Sequence, residues 1–127
     1  MPHNPPPTLP SFSGQRILVV EDEMMVAMLL EELLTAFGLE IVGPTSRLGK
    51  AAEIASNQMI DAALLDVNIA GDDVYPVAKI LAERGIPFTL VSGYAAGSID
   101  TAYRERPRLQ KPFTVLALER SLRAMLG

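Results

Sequence analysis

From Arg16 onward, two kinds of apolar pattern alternate along the chain. Short unbroken runs rich in branched residues, such as Ile17 to Val20 and Ala62 to Leu65, read as strands buried on both faces. Between such runs, apolar residues recur every three or four positions. Val26, Leu30, Leu33 and Phe37 line one face of a helix, and Gly38 follows where a left-handed C-terminal glycine belongs. Glu40 to Gly43 is a short second strand closed by Pro44, and Leu48 to Asn57 is a modest helix. The third strand, Ala62 to Leu65, ends at Asp66. Val74, Val77 and Leu81 mark a helix stopped by Gly85, and Ile86 to Val91 is a fourth strand with Pro87 near its start. Gly97 to Arg104 reads as a helix of weak periodicity. Arg108 to Gln110 is a short fifth strand before Lys111 and Pro112, and Val115, Leu118, Leu122 and Met125 form the stripe of a last helix.

Strict alternation of strands and helices implies an α/β fold, a parallel sheet covered on both faces. Five strand–helix units, (βα)5, suit a doubly wound sheet in the flavodoxin-like strand order 2-1-3-4-5, in which strands one and three are neighbours. Ligands in such sheets bind beyond the carboxyl ends of the strands, so the residues just after each strand are where function is sought.

The chain has 127 residues, room for one domain. Five of the ten prolines lie within the first ten residues, so residues 1–14 read as an extended, disordered arm and residues 15–127 as the domain, with no length left for an output domain. Hydrophobic residues make up 49% and charged ones 20%, ordinary for a soluble domain. The longest apolar run, Met24 to Leu30, is too short to span a bilayer, and the N-terminus has no secretory signal, so a cytoplasmic location without membrane attachment is expected. Absence of Cys excludes disulfides and thiolate chemistry. The one histidine, His3, lies in the arm, which removes histidine triads and histidine zinc sites. A net charge of −4 argues against nucleic acid as the main partner.

The chemistry left to carboxylates, hydroxyls and lysines gathers at the strand ends. Glu21, Asp22 and Glu23 follow strand one, Asp66 and then Asn68 follow strand three, Ser92 and Gly93 follow strand four, and Lys111 follows strand five. Each alone has an ordinary structural reading, as a helix cap or loop residue. Together they are informative. Two carboxylates about 4 Å apart repel by roughly 4 kcal/mol at an effective dielectric of about 20. Three crowded carboxylates either hold a proton or bind a cation, and an all-oxygen set suits Mg²⁺ or a similar hard ion. A carboxylate beside such an ion can attack phosphorus, with Lys111 and Ser92 as donors to the developing charge.

Over residues 15 to 127 the chain resembles the receiver domain of bacterial two-component response regulators. The matching phrases are Ile17-Leu18-Val19-Val20-Glu21-Asp22-Glu23, Leu64-Leu65-Asp66-Val67-Asn68, Val91-Ser92-Gly93 and Gln110-Lys111-Pro112-Phe113. Strand four is also similar to that of an alphaproteobacterial group of stand-alone receivers carrying a Phe-Ala-Thr-Gly phrase, here Leu90-Val91-Ser92-Gly93. The resemblance implies that Asp66 is the phosphoacceptor, charged by a sensor histidine kinase or histidine phosphotransfer protein. It implies that Glu21 and Asp22 hold Mg²⁺ (or Mn²⁺) with Asp66 and the Asn68 backbone carbonyl, that Ser92 is the switch hydroxyl, and that Lys111 binds the phosphoryl group. The resemblance also implies that Asn68 and Tyr94 occupy positions that tune hydrolysis. Most receivers carry an aromatic residue three before the lysine, and here Arg108 stands there; either Tyr94 takes over part of its task or the coupling differs.

The implied function is a single-domain response regulator that signals through an unknown downstream protein or relays the phosphoryl group, and is no enzyme beyond its own phosphorylation and dephosphorylation. The alternative is a degenerate receiver that binds partners without phosphorylation, against which Asp66 and Lys111 speak. A phosphatase of the haloacid-dehalogenase type needs a second acid two residues after its nucleophile, where this chain has Asn68. A flavin site needs a hydroxyl-rich loop after strand one, where it has three acids. Gly71, Asp72 and Asp73 read as a solvated loop with a helix cap, Met24, Met25 and Met28 as core filler rather than an adaptable partner surface, and Arg104, Arg106 and Arg108 as structural, solvated arginines.

Overall fold

Parallel pairing of the five apolar runs builds one sheet. The structure is a computed structural model and describes residues 12–69, 71–93, 101–103 and 105–127. Along the chain come β1 (Arg16–Val20), α1 (Met24–Ala36), β2 (Glu40–Thr45), α2 (Leu48–Asn57) and β3 (Ala62–Asp66). A small antiparallel ribbon, β4 (Asn68–Ile69) with β5 (Asp72–Asp73), precedes α3 (Tyr75–Glu83). Then follow β6 (Phe88–Ser92), a 3-10 turn (Thr101–Tyr103), β7 (Arg108–Gln110) and α4 (Val115–Leu126). The sheet order is β2-β1-β3-β6-β7, the expected order with the five sheet strands counted in sequence.

Side-chain alternation divides the core into two layers. Leu18, Val20, Ala63, Leu65, Phe88 and Leu90 face α2 and α3, meeting Ala51, Ile54, Ala55, Val77, Ala78 and Leu81. Ile17, Val19, Ala62, Leu64 and Val91 face α1 and α4, meeting Leu30, Leu34, Phe37, Leu118 and Leu122. Both faces of β3 and β6 are buried throughout, which is why their sequences run apolar without a break.

Five local expectations change. β2 continues through Pro44 to Thr45, because it is an edge strand and its register with β1 shifts between Leu18 and Val20, a bulge where a missing amide is tolerated. β6 begins only at Phe88, after Pro87. Met24, Met25 and Met28 are exposed and are not core filler; α1 is rotated so that Ala27, Leu30 and Leu34 face inward. Phe12 to Gly14, expected to belong to a solvated arm, pack on the domain. The amides of Phe12 and Gly14 donate to the carbonyls of Phe37 and Gly38, and the Phe12 ring joins the α1 and α4 layer. Gly38 sits at φ +88, and a Cβ there would meet the Phe12 carbonyl oxygen at 2.6 Å, so glycine is required both by conformation and by space. Of the weakly periodic segment Gly97 to Arg104, only residues 101–103 are described. The loop expected at Asp72 and Asp73 is the ribbon, with both acids exposed and Asp73 Oδ1 accepting from the Tyr75 amide.

Candidate functional site

Parallel register carries the polar residues to one place. Val20 pairs with Leu65, so the next residues on β1 and β3, Glu21 and Asp66, emerge side by side. Asp66 pairs with Val91, which puts Ser92 one step beyond it, and Ser92 pairs with Gln110, which puts Lys111 at the end of β7. Two backbone bonds fix these ends: the Glu21 amide donates to Thr45 and the Lys111 amide to the Ser92 carbonyl, at 3.0 and 2.9 Å.

Lys111 is the centre of charge. Its Nζ donates to Glu21 Oε2 at 3.1 Å, Glu23 Oε1 at 2.9 Å and Asp66 Oδ2 at 3.0 Å. It also lies 3.0 Å from Glu21 Oε1, but its hydrogen bond is aimed at Oε2, and the buried Oε1 has no aligned donor. Burial of the Glu21 carboxyl, then the neighbouring Asp66 carboxylate, push its pKa up to about 7. Burial works against the Lys111 ammonium, yet its bonds to Glu23, Glu21 and Asp66 outweigh that and hold it above the ordinary lysine range.

Asp22, Glu23, Asp66, Asn68, Gly93 and Lys111 line an open cleft of about 390 Å³. One oxygen each from Glu21, Asp22 and Asp66 lies within 4.8 Å of the others. Neighbouring oxygens in a Mg²⁺ shell are about 3 to 4 Å apart, so small side-chain adjustments close the set around a hard cation. The buried, undonated Glu21 Oε1 and the all-oxygen donor set fit such an ion, and four carboxylates against one ammonium leave negative charge for it to balance.

Of the residues singled out from sequence, Glu21, Asp22, Asp66, Asn68 and Lys111 meet at the cleft. The Asn68 amide donates to Asp66 Oδ1 at 3.1 Å, and its own Oδ1 accepts from Gly71, so it ties the Asp66 loop to the ribbon. Ser92 is buried at the end of β6, beside the Asp66 strand. Arg108 is exposed on β7 opposite Leu90, outside the cleft lining. Tyr94 lies outside the described residues.

Two features escaped the sequence reading of the site. Glu23 reaches Lys111 at the cleft, and Tyr103 of the 3-10 turn stacks on Tyr75 at the start of α3. The only advance signal for Glu23 was its membership of the acidic triplet.

No protein-family model matches the chain. Among solved structures, it is 41% identical to SdrG from Sphingomonas melonis Fr1, covering 90% of this chain and 98% of that one with a TM-score of 0.80. The BeF3-activated conformation of SdrG matches with a TM-score of 0.78. The receiver domain of the Pseudomonas aeruginosa sensor histidine kinase PA1611, with a magnesium ion coordinated in its active site cleft, is 25% identical, covering 91% of this chain and 99% of that domain, with a TM-score of 0.74. This chain belongs to the response-regulator receiver family.

The curated relatives that match are transcriptional regulatory proteins. The transcriptional regulatory protein PdtaR of Mycobacterium tuberculosis is 28% identical over 105 residues, 80% of this chain, and the receiver spans about half the length of the curated relatives it matches. Among the described residues no helix is long and apolar enough to cross a membrane.

Proposed function

We propose that this receiver is a phosphorylation-controlled switch in which Asp66 accepts a phosphoryl group. The observation that carries the reading is the placement of Asp66 between Lys111, 3.0 Å away, and the oxygens of Glu21 and Asp22, in a cleft open to a donor.

An Asp66 oxygen attacks phosphorus in line with the bond to the donor. The new O–P bond makes an acyl phosphate, and the electron pair of the broken bond stays on the leaving nitrogen or oxygen of the donor. Glu21, Asp22, Asp66 and the Asn68 carbonyl would hold Mg²⁺ (or Mn²⁺), which supplies neutralisation of charge on the transferred group. Lys111 pairs with another phosphoryl oxygen, and Ser92 at the end of β6 turns toward it. The Asn68 amide bond to Asp66 orients the nucleophile, since a carboxylate held by an N–H has fewer rotamers to search.

The donor class that suits this site is a sensor histidine kinase or histidine phosphotransfer protein, and the output is contact with a downstream protein or relay of the phosphoryl group in the cytoplasm, without turnover of an external substrate. The magnesium in the PA1611 receiver and the BeF3-activated conformation of SdrG support this reading.

Intact-protein mass spectrometry after incubation with acetyl phosphate tests it. The expected result is a gain of one phosphoryl mass that requires Mg²⁺ and is lost in Asp66→Asn. A folded wild type that gains no mass from acetyl phosphate or from a histidine phosphotransfer donor, and binds no beryllofluoride, overturns it.

A further inference from the structure

An ammonium has three N–H donors and no acceptor, and in Lys111 all three point at carboxylates. A phosphoryl oxygen arriving on Asp66 therefore needs one of the three to let go. Glu21 and Asp66 belong to the cluster that fits a cation; Glu23 does not. Its carboxylate is 63% exposed, so release into water costs it little, whereas Glu21 and Asp66 are 1% and 9% exposed.

Glu23 is also placed for this task. It stands at the N-cap of α1, where an acidic side chain ordinarily accepts from its own helix, yet it makes no such bond and reaches Lys111 instead, 2.9 Å away. Its amide is held by Glu21 Oε2 at 3.1 Å, which fixes the backbone from which the side chain extends.

We infer that Glu23 is a positioning residue that parks Lys111 in the resting cleft and is the carboxylate the lysine exchanges for the phosphoryl group. The inference rests on Asp66 being the phosphoacceptor. Its consequence is that Glu23 sets how strongly the resting pocket resists phosphoryl capture.

The test uses the full chain with saturating Mg²⁺, titrated with beryllofluoride and followed by amide NMR shifts, in wild type, Glu23→Ala, Glu23→Asp and Glu23→Gln. Aspartate keeps the charge but is shorter by about one bond length of 1.5 Å, and so falls short of Nζ. Glutamine keeps the reach without the charge. Both Glu23→Ala and Glu23→Asp are expected to tighten beryllofluoride binding roughly three- to tenfold, the scale of one partly exposed ion pair, and to raise kcat/KM for acetyl phosphate in proportion. The Lys111 side-chain ammonium signal is expected to shift in both variants before any ligand is added, while the unfolding midpoint stays that of wild type. If Glu23→Asp binds as wild type does while Glu23→Ala and Glu23→Gln bind more tightly, only the field of the charge matters and the parking role is overturned. Unchanged binding in all three variants overturns it equally. If wild type binds no beryllofluoride and takes no phosphoryl group, the Asp66 reading falls and this inference with it.

Discussion

Tyr75 and Tyr103 lie face to face, their ring centroids 4.8 Å apart and their planes 4° from parallel. Tyr103 ends the 3-10 turn Thr101–Tyr103 and Tyr75 opens α3, so the stack packs that turn against the helix that follows the Asp66 loop. Phe88 tilts against Tyr103 at 6.3 Å, and the Arg106 guanidinium sits 4.8 Å above the Phe88 ring. From the other side, Tyr75 is tied back to the site: its amide donates to Asp73, Asp73 pairs with Asn68, and the Asn68 amide donates to Asp66.

Removing one ring of this stack is expected to cost stability beyond the lost area. Tyr103→Ala should lower the unfolding free energy by about 2 kcal/mol, and a double-mutant cycle with Tyr75→Ala should return a coupling of about 1 kcal/mol. Urea unfolding monitored by circular dichroism gives both numbers. Strict additivity of the two substitutions would show that the rings merely touch.

Lys111→Met leaves buried Glu21 and Asp66 without their ammonium. In the metal-free protein at pH 8 the expected loss is about 3 kcal/mol, the scale of a buried pair broken from one side. The loss should shrink at pH 5.5, where Glu21 takes a proton, and also on adding Mg²⁺. A pH-independent loss would locate the effect in packing of the lysine stem.

Glu21 itself has a pH signature. Its pKa of about 7 in the fold lies above its ordinary value of 4.5, so the folded state holds the proton more tightly than the unfolded chain does. Its contribution to stability is therefore fully present below pH 4.5, declines as pH rises, and is lost above about 7. Wild type should lose stability relative to Glu21→Gln across that window in chelator, as read by unfolding at pH 4.5, 6 and 8. A difference that stays flat with pH would contradict it.

Much of this arrangement is legible before any coordinates. Apolar runs buried on both faces announce β1, β3 and β6, and parallel register then obliges Glu21, Asp66 and Ser92 to leave the sheet at the same edge. That is why a list of strand-end residues assembled from Glu21 to Lys111 gathers around one cleft. Boundaries were less legible. Pro44 reads as a stop because a proline lacks a ladder donor, and the edge position and bulge that excuse it are properties of the pairing with β1.

Local pattern encodes which positions are buried, because burial repeats with the period of a helix or strand. The elements and their buried faces follow from that period, the alternation of strands and helices points to the doubly wound order, and the acidic strand ends with their lysine are read directly from the amino acids. Contacts between residues far apart in the chain follow from how elements are rotated against one another. Glu23 meets Lys111 across 88 positions because α1 starts where it does, and the same rotation turns Met24, Met25 and Met28 to the surface. Phe12 docks on the end of α1, and Tyr103 finds Tyr75, for the same reason: packing chooses the partner, and no periodicity records it.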